Sequence, residues 1–125
     1  MEQKFYICKS CGAVIMPIGD ASEICCNDAM EELVAGSVDA AFEKHIPVYT
    51  VEGNIVSVTV GSVLHPMLPE HYIEWIFLKT KQGSQLKRLN PGEEPKASFA
   101  LCDGDEVEAV YAYCNLHSLW KTENK

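Results

Sequence analysis

Two runs of the chain alternate apolar and polar residues on either side of a short turn signal. IPVYTVEGNIVSVTVG places β-branched residues before and after Gly53 and Asn54, and HYIEWIFLKTKQGSQLKRL repeats the arrangement around Gln82 and Gly83. A period of two sends successive side chains to opposite faces of a strand, and Gly or Asn at the break supplies the turn, so both runs predict β-hairpins. Asn90-Pro91-Gly92 and Asp103-Gly104-Asp105 mark two further turns, after which EVEAVYAYC predicts a last strand with Val107, Ala109, Tyr111 and Tyr113 on one face. The helix-like candidate SVDAAFEK is too short to carry much of the structure. Short strands separated by regular turns predict a β-sandwich of immunoglobulin-like kind.

The first 35 residues have a different texture. Large apolar side chains are few there, and a piece below about 40 residues rarely folds without a staple. Cys8, Cys11, Cys25 and Cys26 offer one, in the pattern CKSC, thirteen residues, then CC. Thiolate ligation of a structural metal contributes on the order of 10 kcal/mol, enough to replace the missing core. The adjacency of Cys25 and Cys26 is unusual, because neighbouring side chains tend to point apart and ligation by both distorts a tetrahedron. Zinc and iron both accept four thiolates, so the spacing does not choose between them.

Composition narrows the function. At 125 residues the chain fits one ordinary domain, or one modest domain plus a small appendage, and it carries a formal net charge of −8. Met1 to Ala35 has two basic and six acidic residues and Gly36 to Lys125 has eight and twelve, so each part is net −4 and neither is a charged tail. An acidic balance with no basic footprint argues against nucleic-acid binding. No run approaches the roughly 18 apolar residues of a membrane helix and the start lacks a basic then apolar leader pattern, so the expectation is a cytoplasmic protein with no membrane association. In a reducing compartment its six cysteines read as metal ligands or redox groups rather than a disulfide framework. Cys102, at the end of the apolar run ASFALC, is expected to be a buried structural thiol.

The four histidines sharpen the picture. His45 in EKHIPV, His65 and His71 in LHPMLPEHY, and His117 in CNLHSLW all fall at strand ends or in loops, and Pro66 and Pro69 stiffen the loop that carries two of them. Taken singly each reads as a solvated loop residue. Together with Cys114, three residues before His117, they form a nitrogen and sulfur set too large for tetrahedral zinc and suited to five-coordinate iron with one position open.

The ordered set CKSC, CC, EKHIP, HPMLPEHYIEW and YCNLHSLW resembles the desulfoferrodoxin family, the two-iron form of superoxide reductase, over essentially the whole chain. The resemblance implies a mainly β protein. Residues 1–36 are expected as a desulforedoxin-like iron domain on Cys8, Cys11, Cys25 and Cys26, and 37–125 as a β-sandwich whose ferrous centre is held by His45, His65, His71, His117 and Cys114. Four imidazoles are then equatorial and the thiolate axial, opposite the open position. Glu43 and Lys44 match the family's loop pair, a glutamate that binds the oxidised iron and a lysine near the substrate; without that match they read as a solvated surface pair. The implied reaction is one-electron reduction of superoxide to hydrogen peroxide with two protons, fed by an external donor such as rubredoxin, in a homodimer. An axial thiolate pushes electron density onto iron, as in haem enzymes. The net negative charge does not forbid an anionic substrate, because charges beyond about 8 Å are strongly screened while Lys44 beside the iron is not. Two other readings compete: a zinc ribbon attached to a binding sandwich, which leaves the four histidines and Cys114 as coincidence, and an electron carrier with no open coordination position.

Overall fold

The computed structural model describes residues 3–18, 24–25 and 28–124. The chain divides into two compact units, Met1–Val34 and Ala35–Lys125.

In the first unit, β1 (Phe5–Ile7) lies between β2 (Val14–Ile15) and β5 (Glu31–Leu33), antiparallel to both. The segment joining β1 to β2 is a knuckle: the Gly12 amide donates to the Cys8 carbonyl at 2.7 Å and the Cys8 amide to the Ala13 carbonyl at 2.8 Å. Gly12 has φ +79°, a conformation open to glycine at no steric cost, and so lets the chain reverse immediately after Cys11. Cys8 is buried and Cys11 exposed. A second small hairpin pairs β3 (Ile24–Cys25) with β4 (Asp28–Ala29). Cys25 is placed there by its backbone; its side chain and Cys26 lie outside the described residues.

The second unit begins with one helical turn, α1 (Phe42–His45), followed by β6 (Pro47–Glu52) and β7 (Ile55–Val60) joined at Gly53-Asn54 as the pattern predicts. Next come β8 (Ile73–Thr80) and β9 (Ser84–Arg88), which form the second predicted hairpin, then β10 (Lys96–Ala100), β11 (Val107–Cys114) and β12 (Ser118–Glu123). The strands make two sheets, ordered β10-β7-β6 and β12-β11-β8-β9, all antiparallel. This is the expected immunoglobulin-like sandwich. Val56, Val58 and Val60 of one sheet and Ile73, Ile76, Leu78, Val110 and Ala112 of the other fill the core between them. The Thr122 hydroxyl donates to the Pro47 carbonyl at 2.6 Å, tying β12 to β6. Strand β9 lies at a sheet edge with every residue exposed, and its Lys87 and Arg88 make that edge poorly suited to further pairing.

Two expectations need correction. Strand β11 does not keep one alternation: Val107 pairs with Thr80 and Ala109 with Lys79, leaving Glu108 as the extra residue of a β-bulge. The bulge switches parity, so Val107 shares the core with Val110, Ala112 and Cys114 instead of Ala109, Tyr111 and Tyr113. On the other face Tyr111 meets Phe77 edge-on at 6.0 Å and Tyr113 stacks on Trp75 at 5.4 Å. Cys102 is exposed, not buried, because β10 ends at Ala100, Leu101 is the last buried residue of the run, and Cys102 already opens the turn through Asp103 and Gly104.

Candidate metal centre

Four separate pieces of the second unit bring the histidines and Cys114 together. His45 closes α1; its Nδ1 lies 2.7 Å from the Ala41 carbonyl and its ring packs on Trp120 at 5.0 Å. His65 follows β7, with its amide bonded to the Val60 carbonyl and its Nδ1 2.7 Å from the Pro66 carbonyl. His71 sits across from Leu68, the two residues exchanging both backbone hydrogen bonds, which closes Pro69 and Glu70 into a tight lobe. Cys114 ends β11, and His117 lies in the short turn before Ser118 starts β12. That turn needs a left-handed residue, and here Ser118 adopts φ +67° where glycine would pay no steric penalty.

The shift that sends Cys114 inward is therefore the bulge at Glu108. The thiol is fully buried. Burial pushes its pKa up, while the amides of His117 and Leu116, both directed at the sulfur, pull it back down. A cation beside it would reverse the balance and hold it as thiolate.

The rings stand as the corners of a square. Centroids of neighbours are 4.6 Å apart for His45 and His65, 4.7 Å for His65 and His71, 5.1 Å for His71 and His117, and 4.8 Å for His117 and His45. The diagonal from His45 to His71 is longer, at 6.4 Å. One ligand atom each from His45, His65, His71 and Cys114 falls within 4.8 Å of all the others, and His117 Nδ1 is 3.1 Å from His45 Nε2 and 3.9 Å from Cys114 Sγ. Cys114 approaches from the protein interior, whereas His71 and His117 are partly exposed.

The hydrogen bonding shows what this cluster is short of. A carbonyl only accepts, so His45 and His65 each carry their proton on Nδ1 and turn a bare Nε2 lone pair inward. Those two nitrogens are 3.1 Å apart, and two acceptors cannot bond to each other. Protonation does not resolve the clash: burial first, and the neighbouring imidazoles after it, lower the pKa of His65 to about 4 and that of His45 in the same direction. His71 is lowered too, by burial and then by His117, with Lys44 adding to the effect. Its Nε2 is buried with no hydrogen-bond partner, which no other side-chain nitrogen or oxygen among the described residues is. A cation at the centre satisfies all of these at once. Two nitrogens bound at right angles to one metal at about 2.1 Å lie about 3 Å apart, the separation seen here.

Glu43 and Lys44 are exposed on α1 immediately before His45. Their charges reach the cluster, Glu43 favouring protonated His45 and Lys44 opposing protonated His71. The turn after β7 clasps this segment from behind: the Val63 amide donates to the Glu43 carbonyl at 2.9 Å and the Ser62 hydroxyl at 3.3 Å. Sequence reasoning did not single out three residues that shape the site. Trp120 packs on His45 and donates from Nε1 to the His117 carbonyl at 2.9 Å, Asn115 bridges two loops, and Gly61 lets the clasp approach. The signals were a Trp three residues after His117 and a polar residue between two ligand candidates.

A model of the desulfoferrodoxin family matches residues 37–123. The desulfoferrodoxin of Clostridium acetobutylicum is 44% identical over 124 residues, 98% of this chain and 97% of that protein. The desulfoferrodoxin of Nitratidesulfovibrio vulgaris is 41% identical over 98% of this chain and 97% of its own length. The crystal structure of the superoxide reductase from Treponema pallidum aligns with a TM-score of 0.85 at 43% identity, covering 98% of this chain and all of the other. With its family match spanning the sandwich and full-length relatives at this identity, the chain belongs to the desulfoferrodoxin family.

Proposed function

We propose that this chain is a superoxide reductase whose active centre is ferrous iron held by His45, His65, His71, His117 and Cys114. The observation that carries the reading is the square of imidazoles with bare nitrogens turned to a common centre and a buried thiol on the inner side. Five such donors exceed what tetrahedral zinc takes and would suit iron, and the partly exposed His71 and His117 leave one side of the cluster open to a small substrate. The family membership and the superoxide reductases among its structural relatives support the same reaction.

The chain's own residues divide the work. Cys114 presents its sulfur in a dry interior, with two amides aimed at it to stabilise the thiolate. Carbonyls of Ala41 and Pro66 fix the tautomers of His45 and His65, so their Nε2 atoms stay available. Ferrous iron, when bound, supplies the one electron that turns superoxide into peroxide. Two protons from solvent at the exposed side complete hydrogen peroxide. Lys44 places a positive charge on that side and attracts the anion, while Glu43 beside it acts on the oxidised site. An external donor such as rubredoxin returns the electron. Cys8, Cys11, Cys25 and Cys26 hold a second iron in the first unit, and the working form is a cytoplasmic homodimer.

Metal analysis with visible spectra tests this. The reading expects two irons per chain with distinct spectra, and a sulfur-to-iron charge-transfer band that Cys114→Ser abolishes while the sandwich stays folded. Protein that carries only zinc and gains no superoxide-consuming activity from ferrous iron overturns it.

A further inference from the structure

His71 is held differently from the other imidazoles. His45 and His65 are oriented through Nδ1 by carbonyls, and the turn bearing His117 is held by Trp120; among the described residues no hydrogen bond reaches the His71 ring. Apart from ring contacts with His65 and His117, its position is set through its backbone. The Leu68 exchange closes the lobe on itself but does not tie it to the strand that ends at Cys114. Beyond the last rung of the ladder, Cys114 to Ile73, Asn115 makes that tie. Its Oδ1 accepts from the Tyr72 amide at 2.9 Å, its Nδ2 donates to the Glu70 carbonyl at 3.1 Å, and its own amide donates to the Tyr72 carbonyl at 3.2 Å. One side chain thus grips the residues immediately before and after His71, from a position adjacent to Cys114 and two residues from His117.

We propose that Asn115 is a positioning residue for the metal centre: it sets the distance of His71 from Cys114 and His117 and keeps the fourth imidazole at its corner of the square. The proposal rests on the reading of those residues as iron ligands and adds to it a cause for the placement of one of them. An amide is suited to the task because it offers an acceptor and a donor in one plane, matching an N–H and a C=O two residues apart. Loss of partners that orient a metal ligand typically weakens metal binding about 10- to 100-fold.

Three variants of the full chain, loaded with iron, test it. Asn115→Leu keeps similar bulk and removes both side-chain hydrogen bonds; Asn115→Asp keeps the acceptor for the Tyr72 amide. Asn124→Ala removes a comparable bond, from Nδ2 to the Val107 carbonyl at 2.8 Å, at the far end of β11. Ferrous affinity is measured by chelator competition and the thiolate-to-iron band by absorption of the oxidised protein. Asn115→Leu should bind ferrous iron about tenfold or more weakly and shift the band. Asn115→Asp should return the band toward its wild-type position, and Asn124→Ala should change neither. Wild-type affinity and band in Asn115→Leu, or an equal loss in Asn124→Ala, overturns the proposal alone. Failure of the wild type itself to take up iron at this site overturns the ligand reading together with it.

Discussion

Gly61 offers a perturbation whose size can be worked out in advance. It is buried, has φ +89°, and carries the chain past the backbone of Glu43 and Lys44. A methyl group added there overlaps the Val63 carbonyl oxygen and falls 2.7 Å from the Glu43 carbonyl oxygen and 2.8 Å from Lys44 Cα. All three obstacles are backbone, so no side chain can swing aside. Gly92 supplies the control, because it has nearly the same φ, +90°, with nothing within 4 Å of the added carbon. Left-handed backbone costs an alanine about 1–2 kcal/mol, so Gly92→Ala should lose about that much. Gly61→Ala should lose the same plus about 1–3 kcal/mol of overpacking, giving about 2–5 kcal/mol. Relief requires moving the segment that ends in His45, so Gly61→Ala should also weaken ferrous binding while Gly92→Ala should not. Urea unfolding of the iron-free chain followed by tryptophan fluorescence reads the stability. Both tryptophans, Trp75 and Trp120, lie in the second unit, so the signal reports that unit. Equal losses in the two variants, with equal iron affinity, would refute the claim that the Gly61 turn clasps the Glu43-Lys44 segment.

Lys44→Ala should slow the encounter with superoxide and flatten its salt dependence without changing iron content, and Glu43→Ala should alter only the spectrum of the ferric state; equal rates for wild type and Lys44→Ala across a salt series in pulse-generated superoxide would reduce the lysine to a surface charge. Folding of the iron-free chain should weaken in acid: the pKa of His65 is lowered from 6.5 to about 4, so the unfolded state takes up its proton first and stability present above about 6.5 is lost as the pH falls toward 4. That shift corresponds to about 3 kcal/mol, to which His45 and His71 add in the same direction, and urea midpoints that stay flat across this window would contradict it. Ser118→Gly relieves a left-handed serine in the turn after His117 and should raise stability by about 1 kcal/mol, read as a higher urea midpoint; a lower one would mean that the serine side chain makes up for its backbone strain.

The hairpins were legible because their information is local. Alternation in IVSVTV and a two-residue break at Gly53-Asn54 specify β7 and its turn without reference to the rest of the chain. The parity of β11 was not legible, because the bulge at Glu108 is set by pairing with Thr80 and Lys79, residues nearly thirty positions away. Cys102 was misplaced for a smaller reason: an apolar run does not announce the residue at which the chain leaves the sheet. The candidate ligands could be picked out by their residue types and their places at element ends. What the sequence could not reveal was how they are held, since the carbonyls of Ala41 and Pro66, the Asn115 bridge and the Trp120 contacts all depend on the folded backbone.

The central claim is that these five side chains hold iron that reduces superoxide and does not dismute it. Mixing a known amount of superoxide with the reduced, iron-loaded chain and measuring hydrogen peroxide and dioxygen together tests it most directly. The account predicts one peroxide formed for each superoxide consumed, no dioxygen from that step, and turnover that stops when the electron donor is withheld. One peroxide and one dioxygen for every two superoxides, sustained without a donor, would contradict it.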